Sequence, residues 1–62
     1  MTKFELIVAL DAELRAEVPC TGVSIGRFED KSTYRVDFTE DASDYDKYIA
    51  QQIIDNFDNT VL

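Results

Sequence analysis

Val23-Ser24-Ile25-Gly26-Arg27-Phe28-Glu29-Asp30-Lys31-Ser32-Thr33-Tyr34-Arg35-Val36-Asp37-Phe38 is the stretch that decides the fold. Val23 and Ile25 alternate with small or polar residues, and Tyr34, Val36 and Phe38 do the same. A period of two marks a strand with one buried face. Between the two runs, Glu29-Asp30-Lys31-Ser32 has the polarity and length of a hairpin loop. Such a loop sets Val23 opposite Phe38, Ile25 opposite Val36 and Arg27 opposite Tyr34, so that the apolar residues share one face. A slip of one residue would destroy that agreement. The spacing predicts strands over 22–28 and 33–39. The other face, with Gly22, Ser24, Gly26 and Phe28, is expected to be flat and nearly bare, a seat for a partner or a second copy.

Outward from the hairpin, both flanks change to a helical period. Leu6, Ile7, Leu10 and Leu14 recur at spacings of three and four, with Phe4 and Val18 at the margins. Thr2 and Glu5 have the spacing of a capping box, and Pro19 disfavours helical backbone in the residue before it. A helix over 3–17 follows. On the other flank Ser43 and Asp46 mark a second start. Tyr45, Ile49, Ile53 and Phe57 then follow every fourth residue, with Ala50 and Ile54 widening the stripe. This predicts a helix over 44–57.

The expected architecture is α+β: a small α-β-β-α domain over residues 1–62, its two helices packed on one face of a two-stranded antiparallel hairpin. Leu10, Leu14, Val36, Phe38, Ile49 and Ile53 are expected to share one core. Both edges of such a hairpin are open, and edge pairing between two copies would give a four-stranded sheet and a homodimer.

Composition narrows the function. The chain carries 13 acidic and six basic residues, a net charge of −7, and no histidine. Its field should repel DNA and RNA, so direct nucleic-acid binding is not expected. The uncharged apolar run Leu6–Leu10 is far too short for a signal peptide or a membrane span, so no membrane association is expected. No nucleophile elbow, phosphate loop or cysteine–histidine set occurs, and no catalytic residue or cofactor is expected. Cys20 is the single cysteine. It lacks an evident base, reads as a small residue at a strand start, and fits a reducing, cytoplasmic compartment. The C-terminal Thr60-Val61-Leu62 has the loose form of a PDZ ligand, a pattern short enough to arise by chance.

The charge is unevenly spread. Residues 1–36 hold six acidic and five basic residues, whereas residues 37–62 hold seven acidic residues and only Lys47. Asp37, Glu40, Asp41, Asp44 and Asp46, with Tyr45 and Tyr48 among them, are therefore the candidate partner-binding residues. Carboxylates with interleaved aromatics can occupy a basic nucleic-acid channel on another protein, and tyrosine is a favoured interface anchor. Asp44 and Asp46 have the spacing of the first calcium-loop ligands. The loop glycine and the bidentate glutamate are missing, so no specific metal site is expected. Helix-start carboxylates also answer to the helix dipole.

The stretch Tyr34–Asp58 resembles a segment of small phage and prophage proteins that pairs a V-x-F strand with an Ala-Thr/Ser helix start and an A-Q-x-I-I-D-x-F-D helix end. The matching residues are Val36, Phe38, Ala42, Ser43, Ala50, Gln51, Ile53, Ile54, Asp55, Phe57 and Asp58. Asp44-Tyr45-Asp46 departs from the segment, where a Glu-Gln type pair is more usual. The resemblance implies a phage accessory or virion-associated protein. The expectation is a non-enzymatic factor, DNA-mimic-like, that inhibits or modulates a host protein with a basic surface. A structural or assembly component of a virion is the rival.

Overall fold

The expected order is observed: α1 (Lys3–Glu17), β1 (Cys20–Arg27), β2 (Asp30–Phe38) and α2 (Asp44–Asn56). The structure, a computed structural model, describes residues 1–61. The C-terminal PDZ-like motif ends on Leu62, which lies outside them.

Both helices start on reciprocal caps. The Thr2 hydroxyl accepts from the Glu5 N–H at 3.1 Å, and the Glu5 carboxylate accepts from the Thr2 N–H at 2.9 Å. Ser43 and Asp46 repeat the arrangement at 3.1 and 2.9 Å. Each box satisfies donors that a helix start leaves free. At the other end of α1, Val18 turns extended while its N–H still donates to the Leu14 carbonyl, and Pro19 ends the helix.

The hairpin is tighter than the sequence suggests. Phe28 and Glu29 alone form the turn, and Asp30 already pairs with Arg27. The Asp30 carboxylate accepts from the Ser32 N–H and hydroxyl at 3.0 and 2.6 Å, drawing residues expected in the loop into β2. Val23 faces Val36 and Ile25 faces Tyr34, two residues away from the expected register. A shift of two preserves which face each side chain occupies, so the apolar face survives the correction. Irregularities between Cys20 and Gly22 and between Ile25 and Arg27 absorb the mismatch.

The other face is not the bare platform expected. Gly22 sits beneath the Asp11 and Arg15 side chains, and Gly26 lies against Thr33. Phe28 is in the turn, its ring 5.5 Å from the Lys3 ammonium. The outward positions between these features are Ser24, Arg35 and Asp37, all exposed.

α1 lies on β1, α2 lies on β2, and the two helices touch. A body only 18 by 17 Å across its short axes holds one layer of side chains between helices and sheet. Leu6, Leu10 and Leu14 are fully buried, and Val18, Ala50 and Ile54 nearly so. Val36, Phe38, Ile49 and Ile53 pack on this centre while remaining half-buried. The buried line of α2 is thus Ala50–Ile54, and the stripe from Tyr45 to Phe57 is its flank. Among the described residues no helix is long and apolar enough to cross a membrane.

Candidate functional site

The connection from β2 to α2 carries the candidate cluster, and its backbone is pinned. The Thr39 N–H donates to the Pro19 carbonyl at 3.1 Å, tying the end of the sheet to the end of α1. The Ala42 N–H closes the turn on the Thr39 carbonyl at 3.2 Å. Glu40 and Asp41 occupy its apex, and Asp44 opens α2; all three are exposed. Donation from the Thr39 hydroxyl, then from Asp41's own N–H, holds the Asp41 carboxyl below its usual value and keeps it charged.

Tyr45 and Tyr48 follow on the solvent side of the first turn. They are 69% and 59% exposed, with ring centroids 6.5 Å apart. The first turn of α2, whose start Ser43 fixes, therefore presents two adjacent aromatic rings, with Asp44 next to Tyr45 in the chain and Glu40 and Asp41 exposed in the turn that precedes it. Lys47 turns away from them, its ammonium 5.9 Å from the Phe38 ring.

Two of the expected site residues are placed elsewhere. Asp46 is half-buried and folds back on the Ser43 N–H, so its carboxylate serves the cap. The cap takes one oxygen of Asp46, while the Asp44 carboxylate stands exposed. Asp37 lies on the sheet face turned away from the helices, where strand alternation puts it next to inward-facing Val36 and Phe38. Glu40, Asp41, Asp44, Tyr45 and Tyr48 remain as the exposed group.

An open cleft of about 400 Å³ between α1 and α2 was not expected from the sequence. Ile49, Ile53 and Phe57 form its apolar floor, Gln52 and Asn56 supply amides, and Glu13 and Asp58 supply carboxylates. Its signal in the sequence was the stripe at every fourth residue, which the period alone assigns to the core. Such a lining can hold an apolar side chain with a neighbouring donor or cation, and it contains no nucleophile paired with a base. Compared with known proteins, the chain matches no family model, no curated protein and no solved structure.

Proposed function

We propose that this chain is a non-enzymatic binding protein that presents the start of α2 to a basic surface on another protein. The observation that carries this reading is the exposed Tyr45–Tyr48 pair beside Glu40, Asp41 and Asp44. Two large aromatic rings left in water on a pinned helix start cost little further ordering when a partner covers them. Carboxylates around them speed encounter with a cationic surface and select against acidic ones. On the resemblance of Tyr34–Asp58 to phage segments, the partner is a host protein in the cytoplasm and the effect is inhibition or modulation.

A virion assembly role is the second reading. It is favoured by a different observation, the exposed apolar side chains Phe4 and Val8 on α1, which suit repeated contacts between subunits.

Salt separates the two. Immobilised wild-type protein and an Asp41→Lys/Asp44→Lys variant are used to capture host proteins at low and high salt. The binding reading expects a partner held by wild type at low salt, released at high salt and not held by the variant. A partner retained equally by both proteins at both salt levels would overturn it.

A further inference from the structure

We infer that the cleft between α1 and α2 binds a short extended peptide segment of another protein, one in which apolar side chains lie between two basic ones. This inference does not rest on the acidic site at the start of α2.

The cleft is apolar along its floor and acidic towards its ends. Its two helices run antiparallel. Lys3 stands over the Phe28 ring, and the Asn59 amide donates to the Phe28 carbonyl at 2.9 Å. The start of α1 and the residues after α2 therefore meet the same hairpin turn, while Thr39 and Pro19 join the other ends. Glu13 stands about 15 Å along α1 from Lys3, at about 1.5 Å per residue, whereas Asp58 follows the end of α2 near the turn. The two carboxylates thus lie towards opposite ends of the lining, with Ile49, Ile53 and Phe57 as its floor. All three floor side chains are half-buried, so each still offers apolar surface to a ligand.

Charge and hydrogen bonding select the occupant. None of the six basic side chains lines the cleft. Lys3 and Lys47 lie over aromatic rings, Arg15 reaches the Thr21 carbonyl, and Arg27 and Arg35 sit on the strands. Lys31 binds the carbonyls of Asp55 and Phe57 and offsets part of the Asp58 charge. Glu13 makes no ion pair among the described residues. A cation entering the cleft gains an unshared carboxylate, and an anion is repelled from both ends. Gln52 and Asn56 stand one helical turn apart in the lining. Each carboxamide offers donors and an acceptor that match a peptide bond, whereas an alkylammonium has no acceptor to return. The Asn56 amide already donates to the Gln52 backbone carbonyl at 3.0 Å, which steadies it with its own carbonyl left to accept. A volume of about 400 Å³ suits a few side chains rather than a folded domain. About four extended residues, at roughly 3.3–3.6 Å each, cover a length comparable to the cleft.

Chemical-shift titration of the intact, isotope-labelled chain tests the proposal. The probe is the blocked peptide acetyl-Arg-Leu-Phe-Arg-amide, raised to millimolar concentration. The expected result is saturable shifts at Glu13 and across Ile49–Asp58. Three control probes each lack one element: acetyl-Glu-Leu-Phe-Glu-amide the cations, acetyl-Arg-Gly-Gly-Arg-amide the apolar side chains, and phenylbutylamine the peptide backbone. Each should bind at least tenfold more weakly. Glu13 is exposed, so the denaturation midpoint of Glu13→Gln should match wild type. That variant should bind the first peptide about two- to fivefold more weakly, as expected for one exposed charge pair. The absence of saturable shifts in the cleft would overturn the inference. So would equal binding of any control probe, or a Glu13→Gln variant that binds as tightly as wild type. Shifts confined to Glu40–Tyr48 would assign the peptide to the start of α2 and reject the cleft, leaving the reading of the acidic site intact.

Discussion

Lys31 reaches from the start of β2 to the end of α2, where its ammonium donates to the Phe57 carbonyl at 2.6 Å and the Asp55 carbonyl at 3.0 Å. The last carbonyls of a helix lack intrahelical donors and carry partial negative charge, and α2 has no basic residue in its own last turn. A cation distant in sequence supplies what the helix lacks. Lys31→Met should therefore lower stability by about 1 kcal/mol. Amide exchange in the last turn of α2 should quicken more than in α1. Equal quickening in both helices would show that the contact is not a local cap.

Core truncations should separate the buried line of α2 from its flank. Leu14→Ala and Ile54→Ala remove side chains from the fully packed centre and should each cost about 2–5 kcal/mol. Ile53→Ala, on the cleft wall, should cost clearly less. Chemical denaturation of the three variants checks the order. A larger loss at Ile53 than at Ile54 would place the core on the wrong side of the helix.

The two strand glycines should respond differently to a methyl group. A Cβ on Gly26 would come within 3.0 Å of the Thr33 Cβ. The Thr33 side chain is fixed, accepting the Arg27 N–H at 2.8 Å while its hydroxyl faces the Asp30 carbonyl at 2.7 Å. Gly26→Ala should destabilise by about 1–3 kcal/mol. A Cβ on Gly22 would meet its nearest atoms at 3.6 and 3.8 Å, ordinary contact, so Gly22→Ala should be tolerated. Thermal denaturation of both checks the contrast.

Acid should weaken the fold through carboxylates that the native state holds ionised. Glu5 lies below its usual 4.5, owing first to the Thr2 N–H and then to the Thr2 hydroxyl. Asp30 lies below 3.8 because the Ser32 hydroxyl and N–H donate to it, and Asp58 does so because of Thr60. A folded value lower than the unfolded one gives stability present above the unfolded value and lost as pH falls through the folded one. The unfolding temperature should hold down to about pH 5 and fall below it. Glu5→Gln should flatten part of that fall. A decline centred on neutral pH would require another group.

If the start of α2 meets a cationic partner, charge and aromatic variants should separate kinetically. Asp44→Lys should slow association and weaken its salt dependence, whereas Tyr48→Ala should mainly speed dissociation. Asp46→Lys is the poorer probe because it also breaks the Ser43 cap. A partner captured from host lysate and studied by surface kinetics supplies the measurement. Identical rates for all variants at low salt would reduce the acidic face to a solubility device.

The sequence by itself determined the elements and the faces. Thr2 with Glu5 and Ser43 with Asp46 mark the helix starts because a cap is a contact between residues three apart, and strand alternation settles inside and outside by parity. The acidic run and its two tyrosines were visible in the sequence, but the period of four set Tyr45 on the apolar stripe, and the fold leaves it 69% exposed. Only the tertiary structure decided what depends on distant partners. The Phe28-Glu29 turn and two irregularities moved the register by two residues, a change invisible to parity. The position of α1 put Ala50 and Ile54 at the centre and left Ile49, Ile53 and Phe57 along an open cleft. A period of four defines a stripe wider than the sheet can cover, and the neighbouring helix selects which part of it is buried.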